Sequence, residues 1–554
     1  MRAPRPVLLP FAAWVGVVAC SSSDTHAPTD AGGGTDASQG VDAAASDASL
    51  DGPTGSDAVA LDAATPAKTT LAALLANNTS ASGSFVDSYT PAARFSGSAT
   101  PVSNGDAPAS PTATMDLGTG RVSKVPVRSL LYPGATTQVL VETQSWFCTN
   151  GVTPIPTGQP ADQCGSHVDV GYSTNYAAHV ALQVADMTSR GVDGAVIDWE
   201  GQSAGDGVTD MPSTSSTAID TGSLFLFEKA AEASGGAFHF AVIEDEGIKA
   251  CAAASGCDVT TQILSDIAFL DASFFGSPAY LTSGGRPVLF FFSVDAWVSP
   301  YGKTIDWTQV RASAAGNPLF VFENAGGFTH AASDGAYSWV SPTAIGAYPG
   351  SDPFGTGAFL PYFYGQATSH GTLLGWGSAY KGFDDAVVNG WGGGERYAGQ
   401  QCGKTWLDTF AVADGQYSAT SQLSGLQLVT WDDYEEGTEL ETGIDDHLAV
   451  TATLQGGSTL AWTVAFDASA PTECAQAASG GFDPGTLVDH YAVYASPASD
   501  GQNVTLVDGD VPASARSFDV TGRLPAGDYV LFVYAVAKPF LFDQLSAPVA
   551  YAAP

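Results

Sequence analysis

Residues 193–201 read DGAVIDWEG, an apolar run of strand length that ends on a tryptophan flanked by two carboxylates. A strand with one wet face alternates apolar and polar residues. A run this continuous is buried on both faces, as in a parallel sheet covered by helices. Seven further runs share the design: TQVLVETQSWF (137–147), FHFAVIEDEG (238–247), RPVLFFFSVDAW (286–297), PLFVFENAGG (318–327), GAYSWVSP (335–342), GTLLGWGSAY (371–380) and GLQLVTWDD (425–433). Amphipathic helical patterns lie between several of them, as in YAAHVALQVADMTSRG (176–191) and DVTTQILSDIAFL (258–270). Eight strands alternating with helices predict a (β/α)8 barrel of the TIM type; an open doubly wound sheet fits the same alternation.

Polar and aromatic residues gather where each run ends: Glu142, Gln144 and Trp146; Asp198 and Glu200; Glu244, Asp245 and Glu246; Asp295 and Trp297; Glu323 and Asn324; Trp339; Trp376; and Asp432, Asp433, Glu435 and Glu436. In a barrel these ends meet on the one face where such folds place their sites. Carboxylates accept hydrogen bonds from hydroxyls and aromatic faces stack on sugar rings, so an acidic crater walled by tryptophan suits a saccharide. The candidate contacts are Asp198, Trp199, Glu200, Glu244, Glu323, Trp339, Trp376, Trp431 and Tyr434. Core packing explains any one tryptophan as well; the joint pattern is what points to a ligand.

The last run leads into TWDDYEEGTELE (430–441), with six carboxylates in twelve residues. Cleaving a glycosidic bond takes one carboxylic acid to protonate the leaving oxygen and one carboxylate as base or nucleophile. Asp433 and Glu436 are three apart, so a helical turn after the strand would aim both into the crater. A solvated acidic turn without chemistry is the competing reading.

HVDVGYSTNYAAHVALQVADMTSRGVDGAVIDWEG (167–201), RPVLFFF (286–292), GAYSWV (335–340) and TWDDYEEGTELE together resemble glycoside hydrolase families 71 and 99, over residues 128–445. These are the α-1,3-glucanases and the endo-α-1,2-mannosidases. The resemblance implies a (β/α)8 barrel that cleaves α-linked glucan or mannan, with Asp433 as base and Glu436 as general acid. Those families end their barrel with a W-N-D/E-W/Y-x-E-G/S pattern, and the Asp-Tyr spelling here is nearer the glucanase branch. Asp432 stands where the families have Asn, and Glu200 where Tyr is common. Both change local charge and leave a second possibility, a degenerate barrel that binds surface glycan without cleaving it.

The 554 residues carry 57 acids against 19 bases, a formal charge of -38. That excludes nucleic acid, whose binding needs Lys and Arg to displace counterions, and disfavours docking on anionic lipid. The expected partner is a poly- or oligosaccharide. No phosphate loop, nucleophile elbow or HExxH motif occurs, so neither cofactor nor metal is expected. At the N-terminus, Arg2 and Arg5 precede VLLPFAAWVGVVA and VVAC ends at Cys20, which resembles a lipoprotein signal with Cys20 acylated. Residues 21–67 are Asp-rich without Lys or Arg before Lys68 and read as a disordered tether. The expected location is therefore the bacterial cell envelope, lipid-anchored at the outer membrane, or outside the cell, with that anchor as the only membrane contact. Six further cysteines in an exported chain favour disulfides, Cys148–Cys164 and Cys251–Cys257 being close pairs; Cys402 and Cys474 are left without assigned partners. Residues 68–446 are then the barrel with an irregular lead-in. Residues 447–554 show short alternating runs between Gly, Pro and Asp turns, an all-β sandwich in which Trp462 and Tyr529 resemble core positions of a fibronectin type III module.

Overall fold

Each of the eight runs carries a strand. The computed structural model describes residues 68–70, 122–144, 177–201, 216–340, 354–385, 396–433 and 436–554, all within the unit Pro66–Pro554. The expectations for Cys20, Cys148, Cys164, Trp146, Tyr434, Glu435, the export signal and the tether lie outside the described residues. The strands are β1 Gln138–Gln144, β2 Gly194–Trp199, β3 His239–Glu244, β4 Arg286–Phe291, β5 Leu319–Glu323, β6 Gly335–Tyr337, β7 Leu374–Tyr380 and β8 Gly425–Val429. Each pairs in parallel with the next, and β8 pairs back onto β1 through Gly425–Gln138 to Leu428–Val141. The sheet is therefore a closed eight-stranded parallel barrel of the TIM type, not the open sheet that the alternation also permitted.

Helices return the chain between strands: α1 Ala177–Ser189, α2 Ser216–Ala233, α3 Ile248–Ala253, α4 Val259–Ser273, α5 Val294–Val298, α6 Trp307–Ser313, α7 Phe359–Ser369 and α8 Lys404–Asp414. Two starts are written in the sequence. The Asp258 carboxylate caps α4 by accepting from the N–H groups of Thr260 and Thr261, and Asp306 caps α6 by accepting from Gln309. Between β5 and β6 a single 3-10 turn, Ala325–Thr329, replaces a helix.

The strand register sorts the side chains into two sets. Gln144, Asp198, Ile243, Phe290 and Val321 are successive partners around the barrel, as are Glu323, Tyr337 and Trp376. Phe290 of β4 touches Trp376 of the non-adjacent β7, with ring centroids 5.5 Å apart, so this set faces the interior. The alternate set meets the helices: Phe291 packs against Trp307 of α6, and Trp199 stacks on Phe269 of α4.

After the barrel come β9 Leu448–Gln455, β10 Thr459–Phe466, helix α9 Thr472–Ser479, β11 Val488–Pro497, β12 Asn503–Pro512, β13 Ser517–Asp519, β14 Gly527–Ala537, β15 Gln544–Leu545 and β16 Val549–Ala553. β9, β10 and β13 form one antiparallel sheet; β12, β11, β14, β15 and β16 form a second. The second sheet gains an edge from the lead-in, because Lys68–Thr70 pairs with β12 at Lys68–Thr505. Residues 68–70 thus belong to the all-β part and not to the barrel; pairing there covers an otherwise open strand edge.

The two parts are joined at several points. Ser123 N–H donates to the Leu541 carbonyl at 2.8 Å, Ile444 N–H to Phe540 at 2.8 Å, and the Trp406 indole to Pro539 at 3.0 Å. Arg190, buried just after α1, donates to the carbonyls of Leu440 and Glu441 and pairs with Asp186. Its guanidinium lies 5.0 Å from the Trp431 ring and 5.2 Å from that of Phe540. Among the described residues Cys251–Cys257 is bonded as expected, and Cys402 is bonded to Cys474, tying the start of α8 to α9.

The second bond closes a loop of separation 72 that contains β8 and the turn after it. By loop-closure entropy it contributes about 4 kcal/mol. The Cys402→Ser, Cys474→Ser double variant is expected to lose about that much in urea unfolding; an unchanged midpoint would refute the estimate.

Candidate active site

At the C-terminal mouth five strands end on interior-facing polar groups: Glu142 and Gln144 of β1, Asp198 of β2, Asp245 just past β3, Glu323 of β5 and Tyr337 of β6. Their mutual fields and their burial shift their proton affinities. Burial, then Asp433, Asp432, Glu436 and Asp245, push the Glu142 carboxyl well above the ordinary range. Burial, then Glu246, do the same to Asp245, and burial raises Glu323. The Tyr337 phenol is held well up by burial and then by Glu323, Asp245, Asp198 and Glu142, so four strand ends converge on it. These acids are neutral in a pH range where free carboxyls are charged.

Local contacts fix each of them. Glu323 accepts from the Ser293 hydroxyl and, at 2.7 Å, from the Asn324 amide. Asp245 accepts from the Trp297 indole at 2.9 Å. Gln144 bridges the first strand to the last turn, its amide donating to Glu142 at 3.2 Å and to Asp433 at 3.4 Å.

The turn after β8 is built from its own polar groups. Asp433 N–H donates to the Thr430 hydroxyl at 3.0 Å, and Asp433 Oδ1 accepts from Glu436 N–H at 2.9 Å. Both candidate catalytic carboxylates therefore belong to one turn, Asp433 at 6% exposure and Glu436 more open. Asp432 faces β1, where Oδ1 accepts from the Thr143 hydroxyl and Gln144 N–H at 3.0 and 2.8 Å. An asparagine oxygen could accept the same two bonds, so the departure at Asp432 leaves this joint intact. An Arg396 nitrogen stands 3.7 Å from Glu436 Oε1.

Of the other expected contacts, Asp198, Glu200, Glu323 and Trp339 lie at the mouth, the charge of Glu200 acting on Asp245 and Trp339 meeting Phe292 edge-on at 5.3 Å. Four do not open onto it. Trp199 points outward, bonded to Thr221 at 3.0 Å. Glu244 is its register partner and shares that outward face, where burial and Asp266 of α4 raise its carboxyl. Trp431 is sealed beneath Arg190. Trp376 fills the interior so closely that a Cβ on Gly425 would come within 2.1 Å of its ring. Two residues had no signal as site members: Tyr337, spelled as an ordinary strand aromatic, and Arg396, in a glycine-rich stretch. Among the described residues no cluster of His, Cys, Asp and Glu is arranged to hold a metal ion.

No family model matches the chain, and no curated protein matches it. Among solved structures it is similar to the GH99 endo-α-mannosidase of Bacteroides thetaiotaomicron, at 16% identity over 55% of this chain and 88% of that one, with a TM-score of 0.38. The same enzyme with Bis-Tris propane gives 16% identity, 55% and 87% coverage and a TM-score of 0.37. A structure described as a glycoside hydrolase gives 8% identity, 74% and 98% coverage and a TM-score of 0.31.

The raised Glu142 sets a pH test. The folded chain holds a proton that the unfolded chain releases near pH 4.3, so stability falls as pH rises above that value, by about 1.4 kcal/mol per unit for one group, until the folded carboxyl ionises. A glutamine at 142 keeps the acceptor for Gln144 without titrating. Glu142→Gln is expected to gain on the parent from pH 4.5 to pH 7 in urea midpoints; a constant gap would contradict the raised carboxyl.

Proposed function

We propose that the protein is an exported glycoside hydrolase acting on an α-linked glucan or mannan. The observation that supports this most directly is the turn that carries Asp433 and Glu436 at the mouth of the barrel, beside the inward carboxyl of β1 and on the face where those of β2 and β5 also end. In this reading Glu436 gives its proton to the glycosidic oxygen as the C1–O bond breaks. Asp433 takes the proton of the attacking hydroxyl, from water or from the sugar itself. Asn324 and Trp339 offer polar and aromatic surface that a sugar ring needs.

Purified protein is expected to release reducing ends from α-1,3-glucan or α-mannan, and Asp433→Asn and Glu436→Gln each to lose about 100-fold or more. Retained activity in both variants would remove the pair from the chemistry. A second reading, glycan binding without cleavage, draws on Asp433, whose carboxylate is engaged by Glu436 N–H and Gln144. It predicts polysaccharide pull-down without release.

The all-β part we read as fibronectin type III-like, with three strands in one sheet facing a larger second sheet and Trp462 against Tyr491 at 5.0 Å in its core. Anchoring through an acylated Cys20 completes the proposal. Mass spectrometry of protein extracted from membranes is expected to show a lipid-modified N-terminal Cys20; cleavage elsewhere would sink the anchor.

A further inference from the structure

Glu436 is held by a hairpin that no motif announces. Phe383–Asp384 pairs antiparallel with Tyr397–Ala398. From the first strand, Asp384 N–H donates to the Glu436 carbonyl at 2.7 Å. From the residue before the second, the Arg396 guanidinium reaches the Glu436 carboxylate at 3.7 Å. Arg396 is itself gripped, since its backbone N–H and its Nε each donate at 2.6 Å to the buried Asp385 carboxylate. Its guanidinium also lies 5.1 Å from the centre of the Phe383 ring. A planar cation held through Nε by one carboxylate oxygen, with its own backbone N–H on the other and an aromatic ring beside it, has little freedom left.

The other side of the hairpin is fastened to the all-β part. The Tyr397 hydroxyl donates to Glu473 Oε2 at 3.0 Å. A Cβ on Gly399 would come within 2.2 Å of that same oxygen, so the backbone just past the second strand runs directly against the side chain. Three residues on, Cys402 is bonded to Cys474 of α9. The chain of contacts runs from α9 through Tyr397 to Arg396 and ends on Glu436.

We infer that Arg396 is a positioning residue for Glu436 and that the C-terminal all-β part holds it in place, acting as a strut of the site and not as a spacer. The inference rests on the reading of Glu436 as general acid. Once Glu436 has given up its proton it must carry a negative charge amid Glu142 of β1 and Asp433 of its own turn. Lys381 pairs with Glu439, with Asp384 acting on that pair, and Asp385 pairs with Arg396. Arg396 places a cation at the Glu436 carboxylate itself, and a cation there favours the ionised form.

Two measurements test this. In pH–rate profiles on α-1,3-glucan and α-mannan, Arg396→Gln is expected to move the alkaline limb up by about one pH unit with KM unchanged. Arg396→Lys should restore most of that shift, and Glu473→Gln, on the all-β side, should reproduce part of it. A uniform fall in rate with the limb unmoved would overturn the inference, because a merely structural role loses rate at every pH. Independently of activity, a double-mutant cycle of Arg396→Gln and Glu436→Gln in urea unfolding is expected to show coupling at pH 7 that shrinks in the Tyr397→Phe background. Zero coupling overturns the inference even if the polymers are cleaved. Coupling without cleavage of either polymer leaves the strut standing and removes the catalytic reading of Glu436.

Discussion

One buried guanidinium sets the geometry on which the rest of the barrel's closing end depends. Taking Arg190 and Asp186 out of water costs several kcal/mol per ion, and only near-complete hydrogen bonding offsets that. The structure supplies it: Asp186 takes two guanidinium nitrogens, the carbonyls of Leu440 and Glu441 take donors of their own, and Lys124 adds a second cation to Asp186 at 2.8 Å. The rings of Trp431 and Phe540 then cover what is left. Because these partners come from α1, from the segment after the β8 turn and from the all-β part, none can shift without exposing an unpaired charge. The rear of the Asp433–Glu436 turn is therefore fixed before any substrate arrives.

The front of that turn is made under the opposite condition. Glu142, Asp245 and Glu323 are crowded and desolvated until their charged forms are disfavoured, which stabilises nothing in the fold itself. A core of similar volume filled with leucine would be more stable. Sites that bind or transform a ligand commonly carry such a cost.

The sequence disclosed the barrel because parallel strands covered on both faces are spelled as unbroken apolar runs, and all eight were visible. The same continuity hid which side each residue faces. In GAVIDW nothing distinguishes inward Asp198 from outward Trp199, and one residue further along in β3 the inward position is Asp245, not Glu244. Period-two contrast, the usual guide to facing, is absent when both faces are apolar. Trp431 and Trp376 show a related limit, since a buried tryptophan and a sugar platform have the same spelling. Arg396, Cys402 and Cys474 depend on contacts between segments far apart in the chain, and no local pattern carries those.

Residues 122–123 before the barrel meet residues 541–542 of the all-β part, and this orders the events of folding. Val122 bridges to Phe542 and Ser123 donates to Leu541, while Trp406 and Ile444 donate to Pro539 and Phe540. Four donors or bridge positions in the barrel part thus wait for partners that follow β14 in the chain. The barrel strands can pair as they emerge, but these joining contacts have no partners until the all-β part has been made as far as residue 542. A chain crossing a membrane in extended form loses nothing by this arrangement. One that folded vectorially, module by module, would hold an unfinished first module for the whole time that the second was being made.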